Sequence, residues 1–421
     1  MLFKVIENEE MAQVEELWNY CFEKREEPFF KYYFNEYCGF RNTVIGGFEK
    51  FDEELCLQTM LHLNPYTLRM RGREEIVPYI VGVATAPEAR GQHLFAGLAK
   101  TSFRVLRKQG MDFVTLMPIY AGIYLPYEFS FCYFKKKYIW ETGKLTLPRM
   151  KLESKKLALV HMELANPAAV SAYTGEEPGE AKTKLYNEEV QPLFAYLYEE
   201  LTAAYNGVPK RTDFQWEKLL SVHALEGTQA VLVHKDGEPQ GYMFYSINNG
   251  TFRILELLAK NSSAEQRLLH YANMHINEAS KVEWLAEPWN KAYIYFADAG
   301  QAPQLVPFMM ARCLNPESAL KKLQPQMNFT GELVVQLLDN VLEENNQLLH
   351  ISGGAEGLHV ETTAVKPNII MDTAAFTQMY LGALSAAELY EAGQIRCLQE
   401  DKLVVLDQLL PKCRNWINEY F

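Results

Sequence analysis

The pattern that most restricts this chain lies between Tyr79 and Met117. Tyr79-Ile80-Val81-Gly82-Val83-Ala84 is an apolar run of strand length that reads as a buried strand. Leu94 to Lys108 then places Leu94, Leu98 and Val105 on one helical stripe, and Gly110 stands where a helix end favours glycine. Phe113-Val114-Thr115-Leu116-Met117 is a second apolar run, stopped by Pro118. Strand, loop, helix, strand is a βαβ unit, which predicts parallel strands and a right-handed crossover.

The rest of the chain is organised around that unit. At 421 residues it exceeds what one hydrophobic core usually organises, so two or three domains are expected. With 48% hydrophobic and 22% charged residues it is globular throughout. A first domain, residues 1–150, ends near Pro148-Arg149-Met150-Lys151. The middle segment, 151–288, repeats the plan more loosely. It has a helix over Asn187 to Tyr205, a hairpin turning at Asp236-Gly237, a helix over Ala264 to Ser280, then Val282-Glu283-Trp284-Leu285. The last segment, 289–421, carries a strand at Leu333-Val334-Val335-Gln336, a Gly353-Gly354 turn and a helix from Thr373 to Leu384, and reads as α+β.

Charge and cysteine usage restrict the function. A formal net charge of -12 argues against a nucleic-acid partner and suits a cationic small molecule. The first ten residues turn acidic without the apolar run of a secretory signal, and no apolar stretch reaches a membrane span. Seven scattered cysteines without a C-x-x-C pair suit a reducing compartment, so a cytoplasmic protein with no membrane association is expected. His270 and His275, five apart, miss the i, i+4 spacing of helical metal sites, and no metal is expected.

The chemistry concentrates in the loop that joins the first strand to its helix, Thr85-Ala86-Pro87-Glu88-Ala89-Arg90-Gly91-Gln92-His93-Leu94-Phe95. A helix N-terminus directly after a turn offers unpaired N–H groups and a partial positive charge, a seat for a pyrophosphate. Arg90 adds a charge-assisted contact to the same phosphates. The same loop also reads as an ordinary strand-to-helix turn. Downstream, Tyr120, Tyr124 and Tyr127 punctuate Pro118 to Phe129, either as core aromatics or as a phenol beside a reacting group. Phe29, Phe30, Tyr32 and Tyr33 offer π faces that attract an ammonium group, or core packing.

These pieces together resemble the GNAT acetyltransferase superfamily, whose pyrophosphate loop reads R-x-x-G-x-G/A after a strand ending such as Val83-Ala84-Thr85. Arg90 falls on the first position of that loop, and His93 and Phe95 stand where the superfamily has Gly and Gly or Ala. In ordinary helical dihedrals a Cβ at position 93 is tolerated. Tyr124 and Phe129 fall on the tyrosine and phenylalanine of a Y-x-x-x-G-F segment, with Glu128 in place of its glycine. The resemblance implies acetyl-CoA held by Val83, Ala84, Thr85, Arg90, Gly91, Gln92, His93, Leu94, Phe95, Ala96, Ile119 and Tyr120. It implies Tyr124 as the acid that meets the departing thiolate. A free phenol (pKa about 10) is a weaker acid than a thiol (about 8.5), so full transfer is uphill by about 2 kcal/mol and a strengthening hydrogen bond serves equally. The oxyanion needs a backbone N–H, and the end of the Val83 strand is the natural donor.

Over essentially the full chain, Phe29 to Phe34, Tyr79 to Gly91, Ile254 to Leu257, Met309 to Arg312 and Leu381 to Gly393 are similar to the enhanced intracellular survival (Eis) family. That resemblance implies two tandem GNAT-like domains, the second without the coenzyme loop, then a sterol-carrier-protein-like α+β domain. It implies a homohexamer that acetylates primary amines such as aminoglycosides, polyamines or lysine side chains. It also implies that the carboxylate of Phe421 takes the amine's proton, and the aromatic ending Trp416-Ile417-Asn418-Glu419-Tyr420-Phe421 matches the family's terminus. A non-catalytic ligand-binding or assembly protein on degenerate GNAT domains is the alternative, which His93, Phe95 and Glu128 keep open.

Overall fold

The computed structural model describes residues 1–52, 54–147, 158–163, 180–296, 302–323, 329–354 and 357–420. They form two compact units. One gathers Met1–Tyr133, Tyr205–Lys210 and Phe308–Phe421, the other Phe134–Ala204 and Arg211–Pro307. The expected boundary at Pro148 to Lys151 lies outside the described residues. Among the described residues, no helix is long and apolar enough to cross a membrane.

In the first unit β1 (Leu2–Val5), β2 (Thr43–Phe51), β3 (Glu54–Met70) and β4 (Arg73–Thr85) are successive antiparallel neighbours. β5 (Phe113–Leu116) joins β4 in parallel, at Tyr79↔Thr115 and Ile80↔Leu116. The strand Gln304–Cys313 pairs antiparallel with β5 on its other side. Helices α1 (Met11–Cys21), α2 (Pro28–Glu36) and α3 (Phe95–Lys108) accompany this sheet. The stripe on α3 buries Leu98, Ala99, Phe103 and Leu106 with Ile45, Leu61, Ile80 and Val114 of the strands. The predicted βαβ unit is therefore present, with parallel strands, although the helix begins at Phe95 and β5 stops at Leu116.

Two local features of β4 matter later. β3 and β4 are joined by Arg71 and Gly72, both at positive φ (+51° and +77°) between the paired Met70 and Arg73, the left-handed geometry that a two-residue hairpin turn requires. Farther along, Met60 pairs with Ala84 and His62 with Val81, so β4 spends one more residue than β3 over this stretch. That extra residue is a β-bulge, and Gly82 within it has φ +57°. A Cβ on Gly82 would lie 2.4 Å from Trp18 Cζ3 and 3.0 Å from His62 Cδ2, so only glycine fits.

The same unit holds a second, five-stranded sheet, in the order Gly357–Thr362, Gln347–Gly354, Gly331–Leu338, Ile369–Asp372, Ile395–Cys397. Helices Pro316–Lys322, Thr373–Tyr380, Ala386–Glu391 and Asp401–Leu409 accompany it. Leu333, Val335 and Leu337 of this sheet belong to the same core as Tyr66, Val77 and Tyr79 of the first. Gly353 and Gly354 lie within a strand rather than in a turn, because both pair with the neighbouring strand. The helix expected over Thr373 to Leu384 stops at Tyr380, and Gly382 follows at φ +76°. Between the sheets lies a fully buried ion pair. Arg312 Nη2 donates to Asp339 Oδ2 at 2.7 Å, Nη1 donates to the Tyr127 carbonyl at 2.6 Å, and the guanidinium lies 4.8 Å from the centre of the Phe103 ring. Asp339 also accepts from the N–H groups of Val341 and Leu342 and from Asn345 Nδ2.

The second unit repeats the βαβ plan. Thr251–Ala259 runs parallel to Lys281–Ala286, with Ser262–Asn273 as the intervening helix and Gln229–Lys235 and Glu238–Asn248 as a hairpin beside them. The hairpin turns at Asp236-Gly237 as expected, both at positive φ. The two helices expected here are shifted. One spans Glu180–Thr202, and the other ends at Asn273 instead of Ser280, where Met274 caps it. A buried Arg211–Glu256 pair at 2.8 Å, joined by the Tyr242 hydroxyl, fixes the second strand of this hairpin to its neighbour.

Two outcomes are expected for the first unit. Gly82→Ala lowers stability by about 1–3 kcal/mol in chemical denaturation, because the methyl group must displace Trp18 at a left-handed position. Asp339→Asn leaves a buried guanidinium unpaired and costs about 3–5 kcal/mol. Burial alone raises the Asp339 carboxyl, but Arg312 and the hydrogen-bond donors outweigh it and hold the carboxyl below its ordinary 3.8. Its stabilisation is therefore complete above that value and is lost as pH falls through the lower folded value. Acid unfolding of Asp339→Asn should accordingly show a flatter pH dependence.

Candidate active site

The site begins where β4 leaves β5. Their parallel pairing ends at Ile80↔Leu116, yet β4 continues to Thr85. The bulge at Gly82 turns the strand away, and Thr59 holds its far end, donating from its hydroxyl to the Ala84 carbonyl at 2.8 Å and lying 2.9 Å from the Thr85 hydroxyl. Val83, Ala84 and Thr85 thus lie beyond the part of β4 that is in register with β5.

The loop to α3 follows. Arg90 is exposed, and its Nε donates to the Thr85 carbonyl at 3.2 Å, folding the side chain over the strand end. Gly91 (φ +80°) and His93 (φ +55°) both turn left-handed. His93 therefore does not sit in the helical dihedrals under which its Cβ is tolerated. The left-handed turn is itself the reason glycine suits this position, and a histidine there carries strain of about 1–2 kcal/mol. Among the described residues, the backbone N–H groups of Gly91, Gln92, His93, Leu94 and Phe95 make no hydrogen bond within the chain, and Leu94 supplies no side-chain cap. Five consecutive free donors at the start of a helix are the kind of group that an anion satisfies. Ala96 already bonds to the His93 carbonyl and closes the turn. In the second unit the corresponding helix start is capped from within, since Asn261 accepts from Ala264 N and Lys260 N donates to Gln240.

Tyr124, 8% exposed, follows the short turn Ala121–Ile123. The edge of Phe95 meets its ring with centroids 5.2 Å apart and planes at 88°, and Phe95 packs in the same way on Tyr127 at 5.0 Å. Phe95 thus links the anion seat to the phenol. Burial raises the Tyr124 pKa above its ordinary 10.0, which keeps the phenol protonated and makes it a hydrogen-bond donor. Glu128 occupies its glycine-like position at φ +62°, held by Asn340 Nδ2 donating to Oε1 at 3.0 Å. Ile119 and Tyr120, just beyond β5, are 98% and 69% exposed.

Two groups went unnoticed in the sequence. Tyr79, 2% exposed, is raised by burial and then by the proximity of Glu419, Tyr420 and Tyr124. Only a buried tyrosine in an apolar run marked this residue. His62, fully buried and pushed down to about 3 by that burial, is neutral, and its Nδ1 lies 3.0 Å from the Tyr33 hydroxyl. Phe30 and Tyr33 are core residues, with Tyr33 4.9 Å from Trp18, while Phe29 is half-buried and stacks on Tyr33. Phe421 lies outside the described residues, but Trp416, Ile417, Asn418 and Glu419 before it are all buried.

Known families match the chain in three places. The acetyltransferase (GNAT) domain matches residues 3–132, a second acetyltransferase (GNAT) domain matches 207–313, and the sterol carrier protein domain matches 316–418. Among solved structures, a probable N-acyltransferase from Enterococcus faecalis V583 is 20% identical, with TM-score 0.81 over 100% of this chain and 99% of that one. A GCN5-related N-acetyltransferase from Anabaena variabilis ATCC 29413 is 17% identical, with TM-score 0.78 over 100% of both chains. Eis1 from Mycobacterium abscessus is 16% identical, with TM-score 0.65 over 90% of this chain and 91% of that one. At these identities the likeness is one of fold. No curated protein sequence matches the chain. The chain is thus a tandem of two GNAT acetyltransferase domains followed by a sterol carrier protein domain.

Proposed function

We propose that this protein is an N-acetyltransferase of the Eis type that moves acetyl from acetyl-CoA to a primary amine by direct attack. The observation that carries this reading is the row of free N–H groups from Gly91 to Phe95, set at the mouth of the bulged β4 and linked through Phe95 to the Tyr124 phenol.

In this reading the pyrophosphate sits on the Gly91–Phe95 donors with Arg90 above it, and the pantetheine arm pairs with the free edge of Val83 to Thr85. The thioester oxygen gains charge on attack and accepts from a strand N–H. Collapse of the tetrahedral intermediate breaks the C–S bond, and the thiolate accepts a hydrogen bond from Tyr124. The raised pKa of the phenol favours hydrogen bonding over complete proton transfer. The attacking nitrogen must also lose a proton, which the Phe421 carboxylate receives directly or through water. Polyamines, aminoglycosides and lysine side chains are the acceptor classes to compare.

Calorimetry should find CoA binding that weakens about tenfold in Arg90→Ala. No binding at millimolar CoA would favour a non-catalytic ligand-binding or assembly protein instead. Thiol release from acetyl-CoA with an amine panel tests the chemistry. Tyr124→Phe is expected to lower kcat about a hundredfold with little change in KM for acetyl-CoA. A chain extended by one glycine beyond Phe421 should lose turnover as well; unchanged turnover there removes the carboxylate from the mechanism.

A further inference from the structure

We infer that Asn206 is a positioning residue that fixes the register of the tail, residues 414–420, as it runs to the end of β5 that leads to Tyr124. The inference rests on the acetyltransferase reading above. Residues Tyr205–Lys210 belong to the first unit although their sequence neighbours on both sides belong to the second. This short strap adds Val208–Pro209 to the edge of β3, at Leu68↔Pro209 and Arg69↔Val208.

Asn206 uses every polar group it has on this arrangement. Its N–H donates to the Arg414 carbonyl at 2.9 Å and its carbonyl accepts from Trp416 N at 3.2 Å, so its backbone brackets Asn415. Its Nδ2 donates to Asn415 Oδ1 at 2.7 Å and to the Leu381 carbonyl at 2.8 Å. Its Oδ1 accepts from Arg71 N at 2.7 Å, at the β3–β4 turn. Arg71 then donates through its guanidinium to the carbonyls of Tyr380, Pro411 and Met379, at 2.7, 2.7 and 2.9 Å. Asn415 Nδ2 donates onward to the Cys132 carbonyl at 3.1 Å. Tyr205 meets Trp416 edge-on with centroids 6.0 Å apart, and Tyr420 packs on Phe308 at 5.3 Å. Bracketing one residue from both sides admits no slip, because a shift by one position would break both backbone bonds and bury the Asn206 amide unpaired. Five residues beyond Asn415, Tyr420 packs on Phe308, which stands two residues along its strand from Met310, the partner of Leu116 at the end of β5. The clamp thus sets how far the tail extends toward that end of β5.

The test is a double-mutant cycle between Asn206→Ala and removal of residues 419–421, a cut that leaves Trp416, Ile417 and the clamp in place. In the full chain Asn206→Ala should lower kcat about tenfold with KM for acetyl-CoA unchanged, and in the shortened chain it should change kcat by less than about twofold. Equal losses in both backgrounds would overturn the inference, since Asn206 would then act on folding alone. Should Asn206→Ala fail to fold, Asn415→Ala takes its place in the cycle with the same two outcomes. A wild-type chain that transfers no acetyl group sinks the acetyltransferase reading itself, whereas an active wild type with additive losses sinks only the role of Asn206.

Discussion

One extra residue in β4 shapes the first sheet. In a regular parallel pair the N–H groups of neighbouring strands are satisfied by each other, and no small molecule can enter. The register of β4 with β5 ends at Ile80, and the bulge at Gly82 in its pairing with β3 follows directly. Trp18 and His62 close on the bare Cα of Gly82 and prevent the strand from relaxing back. An unsatisfied strand edge is costly unless a partner supplies acceptors, and an extended amide-bearing arm is such a partner.

The wall opposite that edge is held from a distance. Tyr124 lies in a loop of short turns that has no regular structure to stiffen it. Its carbonyl neighbour at Tyr127 receives Arg312, and Glu128 receives Asn340, both from beyond residue 300 in the sequence. Arg312 is locked in turn by Asp339. A buried ion pair is rarely the most stabilising use of that space, but its directional hydrogen bonds fix the loop to within a bond length. Asp339 and Asn340, in the stretch matched by the sterol carrier protein domain, therefore act with Arg312 as a splint for the Tyr127–Glu128 end of that loop.

Much of this was legible in the sequence where periodicity is strong. The βαβ unit between Tyr79 and Leu116 and the hairpin at Asp236-Gly237 follow from local pattern, whereas of the expected α3 stripe only Leu98 is buried: Leu94 precedes the helix, Val105 is half-buried, and Ala99, Phe103 and Leu106 fill the core instead. Element ends were read less well. Nothing in composition marks Met274 as a helix end six residues before Ser280, because that stop depends on packing. The departures at His93 and Glu128 were visible as letters, but their left-handed dihedrals were not, since a side chain does not announce the backbone beneath it. The proximity of Tyr79 to the tail, and the strap at Asn206, join residues more than a hundred positions apart. Single-sequence patterns carry no such information.

The strap and the splint also bear on how the chain is made. The first unit draws its pieces from three separated stretches, and β5 receives its outer neighbour only from Met310 to Cys313. While the ribosome works through the intervening residues, β5 waits with one edge unpaired, an invitation to pair with another nascent chain. The second unit has a shorter wait of the same kind, since the strand through Lys136 to Glu141 pairs with Lys281–Ala286. Truncated translation products would therefore be sticky at β5, and demand for chaperones should peak between synthesis of β5 and emergence of Cys313.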